Sequence, residues 1–147
     1  MSKVTLRKMA EKDLLRVSQI EKEIFSDPWS YDAFKTDLNN DMAYPIVAEL
    51  EDNVIAYSNI YIVAGEVQIG NFAVAAGHRK KGIGRKLMNE IMRIGAEKKC
   101  SVIFLEVRES NEPARSLYAS FGFKSAGMRR DYYSNPRESA IIMAREL

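Results

Sequence analysis

The chain has 147 residues, 46% of them hydrophobic and 29% charged, a balance that excludes disorder and suffices for a buried core. With 22 basic against 20 acidic side chains the net charge is only +2, which excludes the broad positive field of a typical nucleic-acid binder. Its lone cysteine excludes an intramolecular disulfide, and no apolar run reaches membrane-spanning length, so a cytoplasmic chain forming a single domain over 1–147 is expected, with no nucleic-acid or membrane partner.

Residues 4–7 alternate apolar and polar side chains and predict a first strand. From Asp13, the recurrence of Leu14, Val17, Ile20, Ile24 and Phe25 predicts an amphipathic helix that ends near Pro28, since proline cannot continue it. A short second helix over 29–38 is expected behind a Ser30 cap, with Tyr31, Phe34 and Leu38 on one face. Strands follow over 45–50 and 54–63, joined by a turn at Glu51, Asp52 and Asn53, and then over 66–74. Beyond a glycine-containing basic turn, Ile83, Leu87, Met88, Ile91 and Ile94 mark a helix ending near Lys98 or Lys99. Residues 101–107 read as an apolar strand, and 113–121 as a helix with Pro113 in its first turn and Gly122 after its end. Two last strands, 124–130 and 140–145, flank a predicted loop at Tyr132, Tyr133, Ser134, Asn135 and Pro136. This order predicts a mixed α/β layer with a helix crossing between the strands that end at Val74 and begin at Ser101.

The turn holds the clearest chemical signal. An apolar strand runs through Phe72, Ala73 and Val74 into Arg79, Lys80, Lys81, Gly82, Ile83 and Gly84, and a helix starts at once. Consecutive backbone N–H groups at a helix N-terminus make a seat for phosphate or pyrophosphate. A solvated basic connection is the bland alternative. The spacing is neither a P-loop nor a Rossmann fingerprint. Glu106 lies in a strand otherwise built for burial; a carboxylate buried there holds its proton more tightly, which suits a general base near neutrality. Pairing with Arg108 at a fraying strand end is the structural alternative. Tyr118 falls on the apolar stripe of its helix with Ala114, Leu117 and Phe121, and its hydroxyl needs a partner. Asn111 is an ordinary N-cap candidate. His78 is the sole histidine, without clustered partners, so no metal is expected.

Taken together, these segments resemble a known family. Arg79-Lys80-Lys81-Gly82-Ile83-Gly84 is similar to the pyrophosphate loop of the GCN5-related N-acetyltransferases (GNATs). Residues 105–111, then Ala114, Leu117, Tyr118 and the Phe121-Gly122-Phe123 run, resemble the RimI-type branch, as does the tail around Tyr132-Tyr133. Two departures stand out: Ala75-Ala76-Gly77 lacks a proline common after the strand, and Ser139 stands where such tails are often acidic.

The resemblance implies a GNAT fold, a central mixed and mostly antiparallel sheet of about seven strands with about four helices, whose splayed central strands hold acetyl-CoA. It implies pyrophosphate on the amides of 79–84, pantetheine along Phe72, Ala73 and Val74, with Gly70 as a possible bulge, and Asn111 and Tyr118 against the same arm. Glu106 becomes the base and Tyr118 the acid that protonates the departing thiolate. Trp29, Tyr31, Tyr132 and Tyr133 become acceptor-binding residues around a protein N-terminus, that of a ribosomal protein. A lysine or small-amine acceptor, or a CoA-binding module without catalysis, are the competing readings.

Overall fold

The computed structural model describes residues 3–147. In chain order it has β1 (Thr5–Lys8), a single 3₁₀ turn, α1 (Leu14–Ile24), α2 (Tyr31–Leu38), β2 (Ala43–Leu50), β3 (Asn53–Val63) and β4 (Glu66–Val74). A second 3₁₀ turn then leads to α3 (Ile83–Glu97), β5 (Val102–Arg108), α4 (Glu112–Ser120), β6 (Lys124–Ser134) and β7 (Arg137–Glu146). The seven strands form one sheet in the order β1-β2-β3-β4-β5-β7-β6, antiparallel throughout except for the β4–β5 pair. Seven strands, four α-helices and the α3 crossover agree with the fold expected from the sequence. Among the described residues no helix is long and apolar enough to cross a membrane.

The helices cover both faces of the sheet. The α3 stripe of Ile83, Leu87, Met88, Ile91 and Ile94 is buried on one face, with Phe121 and Phe123 beside it. On the other face Leu14, Val17 and Ile20 of α1 and Phe34 of α2 pack on Val47, Tyr57 and Ala73. Each such side chain contributes about 1.5–3 kcal/mol by leaving water. Ser30 caps α2 as expected, its hydroxyl accepting from the Ala33 N–H at 3.1 Å.

One expectation is corrected. The predicted loop over 132–136 is mostly strand, because β6 continues to Ser134 and β7 begins at Arg137. Arg129 pairs with Ala140 and Tyr133 with Glu138, so residues 130–132 oppose Ser139 alone. Asp131 takes a left-handed φ of 52° within this bulge. The polar bulge interrupts the hydrophobic alternation, and that made the segment look like a loop.

The feature that positions the site is a divergence of two strands. β4 and β5 pair only through four positions, from Glu66 with Val102 to Ile69 with Leu105. Beyond that point each strand stays with its outer neighbour: Val74 pairs with Ala56 of β3, and Arg108 with Ala140 of β7. In the β3–β4 ladder Asn59 pairs with Asn71 and Ile60 with Ile69, which leaves Gly70 as an extra residue. Gly70 is therefore the expected bulge, and it bends β4 away from β5. A Cβ there would lie 2.8 Å from the Tyr61 ring and 3.1 Å from the Trp29 ring, so only glycine fits.

Candidate active site

A cleft of about 810 Å³ opens where β4 and β5 part. Phe72, Ala73 and Val74 line one wall, Leu105, Glu106 and Val107 the other, with Gly82 and Gly84 at one end and Trp29 and Tyr133 toward the opposite one. Because N–H and C=O groups alternate in direction along a strand, half of those in the diverging part of β4 have lost their ladder partners and open into the cleft.

The basic turn expected to seat a phosphate is built from backbone. Gly82 is the α3 N-cap in the left-handed region, with φ of 78°, and no side chain caps the helix. The first intrahelical bond runs from the Lys86 N–H to the Gly82 carbonyl at 3.1 Å, so the N–H groups of residues 82–85 have no helical acceptor. Arg79 Nε donates to the Val74 carbonyl at 3.1 Å and ties the turn to the end of β4. Of the turn residues named from the sequence, Arg79, Lys80, Gly82 and Gly84 line the cleft. Lys81 does not, and the Ile83 side chain is buried beneath the helix, which leaves only its backbone for a ligand.

Glu106 and Tyr118 line the same cleft. The Glu106 side chain is 27% exposed, and Arg129 Nε of β6 stands 3.4 Å from its carboxylate. Neither deep burial nor pairing with Arg108 describes it. The Tyr132 hydroxyl turns to the same carboxylate, and that contact, with burial, raises the phenol above its ordinary value. Tyr118 packs edge-on against Phe72 and Phe123, with ring centroids 5.9 and 6.0 Å away. Burial, then the neighbouring Tyr133, push the Tyr118 hydroxyl well above a phenol's usual range, so it keeps its proton. Asn111 lines the cleft and also caps α4, its side-chain oxygen accepting from the Ala114 N–H at 3.1 Å.

The rim at the Trp29 end joins three segments. Ser26 Oγ donates to the Asn135 carbonyl at 2.9 Å, and the Asn135 N–H donates to Asp27 at 3.2 Å. Arg108 donates to the carbonyls of Asn135 at 3.0 Å and Pro136 at 2.8 Å, and pairs with Glu138 at 3.2 Å. Its guanidinium also lies 4.3 Å over the Tyr133 ring. Burial, then Tyr132 and Glu106, push Tyr133 up to about 12. Of the four residues proposed for the acceptor, Trp29 and Tyr133 line the cleft. Tyr132 reaches it through Tyr133 and Glu106, with ring centroids 5.0 Å apart. Tyr31 opens α2 with 39% exposure and lies outside the cleft wall.

Sequence reasoning missed Glu21. Its side chain is 2% exposed, and it accepts from the Tyr57 hydroxyl at 2.8 Å and the Trp29 N–H at 3.0 Å. Burial raises its pKa, and the Trp29, Tyr57 and Asn71 donors only partly offset that. The available signal was a carboxylate four residues after Val17, inside the apolar stripe of α1. Among the described residues no group of three or more potential metal ligands occurs.

Comparison with known proteins accounts for this geometry. Residues 14–123 match the Acetyltransferase (GNAT) family. A Bacillus subtilis protein, provisionally named a [ribosomal protein bS18]-alanine N-acetyltransferase, is 35% identical over 97% of this chain and 95% of its own. The crystal structure of the ribosomal-protein-S18-alanine N-acetyltransferase from Escherichia coli is 29% identical, with a TM-score of 0.89 over 98% of this chain and 94% of that one. Arabidopsis thaliana NAA60 in complex with acetyl-CoA shares the fold at 20% identity, with a TM-score of 0.89 over 99% of both chains. The chain belongs to the GNAT acetyltransferase family.

Proposed function

We propose that the chain transfers the acetyl group of acetyl-CoA to the α-amine of a protein N-terminus, that of a ribosomal protein, in a cytoplasmic reaction within a ternary complex. One observation carries the reading. A single cleft has unclaimed helix-terminal amides at one end and Glu106 and Tyr118 farther along, and it opens between two strands that no longer pair with each other. The relatives named for bS18-alanine acetylation support the choice of acceptor.

The pyrophosphate sits on the N–H groups of residues 82–85, with Arg79 and Lys80 adding charge. Pantetheine fills the gap left by the missing β4–β5 pairs and takes the free N–H groups of 70–74, which also polarise the thioester carbonyl. The neutral amine attacks the carbonyl carbon, the C–N bond forms, and the C–S bond breaks as the tetrahedral intermediate collapses. An α-amine titrates near ~7.7–8.0, against ~10.4 for lysine, so a useful fraction is already neutral near pH 7. Glu106 takes the proton the amine loses, directly or through one water. A thiol titrates near ~8.5, below any phenol, so Tyr118 acts as the acid by donating a hydrogen bond to the departing thiolate. Any proton it passes to sulfur is restored from solvent, and Glu106 releases the amine's proton to solvent, leaving the N-acetyl peptide and CoA thiol.

The test is incubation with acetyl-CoA and short peptides, free or blocked at the N-terminus, with mass-spectrometric mapping. Acetyl groups on free N-termini are expected. Labelling confined to lysine overturns the reading.

A further inference from the structure

A buried carboxylate in α1 has no place in the mechanism above. Glu21 is 2% exposed, yet it meets only neutral donors: the Trp29 N–H at 3.0 Å, the Tyr57 hydroxyl at 2.8 Å and, at the limit of hydrogen bonding, Asn71 Nδ2 at 3.5 Å. No cation is paired with it among the described residues. Burying a charge without a cation is costly, and an apolar side chain of similar volume often serves a core better. Stability alone therefore does not explain a carboxylate among Leu14, Val17 and Ile20.

Its three donors come from the parts that meet at one end of the cleft. Trp29 belongs to the α1–α2 connection, and its ring comes within 3.1 Å of the Gly70 Cβ position at the bulge. Asn71 is the next residue of β4. Its side-chain oxygen accepts from the Asn59 N–H at 2.7 Å, and its carbonyl accepts from Ser58 Oγ at 2.6 Å. Tyr57 lies on β3 and stands edge-on to Phe34, which in turn packs on Trp29 at 5.2 Å. The phosphate turn at 79–84 shares none of these bonds.

We infer that Glu21 is a positioning residue for the acceptor half of the reaction: its two oxygens fix the Trp29 wall and the Asn71 end of the β4 bulge relative to each other, and so set where the amine meets the thioester. The inference deepens the proposed function and rests on its assignment of the cleft. Glu21 lines the cleft beside Trp29 and Asn71, and its role is to hold those two in place.

The experiment compares wild type, Glu21→Gln and Glu21→Ala on whichever peptide wild type acetylates. Binding of CoA itself is read separately by calorimetry. A glutamine keeps the shape but offers one accepting side-chain oxygen to the three donors, so at least one donor loses its partner. The acceptor kcat/KM is expected to fall about tenfold in Glu21→Gln and further in Glu21→Ala, while the CoA dissociation constant stays within about twofold. An unchanged acceptor kcat/KM overturns the inference, as does a loss shared equally with CoA affinity, the pattern of general structural damage. If both variants fail to fold, Tyr57→Phe carries the test, because it removes one donor and keeps the ring. A selective acceptor loss of a few-fold is then expected, and no loss overturns the inference. Failure of the proposed function looks different: wild type itself labels no free N-terminus, and the same comparison can then be run on the amine it does label.

Discussion

The two ends of the cleft are made from different material. The end proposed for the phosphate is backbone: four amides of a helix start, a left-handed glycine and an arginine that ties the turn to β4. The acceptor end is side chains drawn from α1, the α1–α2 connection, β3, β5, β6 and β7, linked by the Glu21 network and the Arg108 cluster. Backbone recognition depends on one short run of sequence and serves any ligand that presents the same phosphate. Side-chain recognition depends on residues more than a hundred positions apart, such as Ser26 with Asn135, and can be retuned for one acceptor without disturbing the donor seat.

That contrast can be broken from either end. The largest effect is expected at Tyr118, where Tyr118→Phe removes the hydroxyl and keeps the edge-on packing on Phe72 and Phe123. Turnover should fall by about 10²–10⁴ with CoA affinity near wild type, measured by steady-state rates and direct binding. Unchanged turnover removes Tyr118 from the chemistry. Glu106→Gln comes next: loss of the base should cost about 10²-fold at pH 7 and less above pH 9, where free amine is abundant. A loss that is the same at every pH assigns Glu106 to positioning.

Smaller effects belong to the backbone end. Gly82→Ala puts a Cβ on a φ of 78°, which costs about 1–2 kcal/mol. The turn must shift to relieve this, so the KM for acetyl-CoA should rise roughly tenfold while the acceptor KM holds. Equal changes in both constants would erase the distinction between the ends. The smallest effect concerns Glu138, which hydrogen bonds from Ser110, then Arg108, hold below the usual carboxylate range. A depressed folded pKa contributes stability that is present above the ordinary value and lost as pH falls through the folded one. The difference in unfolding temperature between wild type and Glu138→Gln should therefore be constant from pH 5 to 8 and shrink below pH 4. A difference that changes between pH 6 and 8 contradicts this assignment.

The same contrast explains what was legible in the sequence. The boundaries of β4 and the α3 stripe follow from local periodicity and turn residues, and Gly82 and Gly84 announce the phosphate seat because conformational freedom is written in one letter. The bulge at Gly70 follows instead from the family resemblance. Glu106 and Tyr118 were found by resemblance, whereas their surroundings depend on register two strands away: Arg129 reaches Glu106 only because β6 flanks β7. Strand pairing at that range leaves no local trace. Tyr132 and Tyr133 read as loop in the sequence because a bulge breaks the very alternation by which strands are recognised. Glu21 did leave a trace, a charge inside an apolar stripe, but what it holds could not be named before the chain was folded.

The divergence of β4 from β5 leaves the sheet one interstrand connection short along half its central seam. In the proposed binding mode the thioester arm completes that seam as a surrogate strand, which would make the donor a structural member of the folded protein as well. The amides of residues 70–74 that face the cleft should exchange with solvent faster than those of 66–69 in the free chain and slow sharply once the donor binds. At a hundredfold excess over its dissociation constant the donor adds about 2.7 kcal/mol to stability. How long the enzyme persists folded thus rises and falls with the supply of its own substrate.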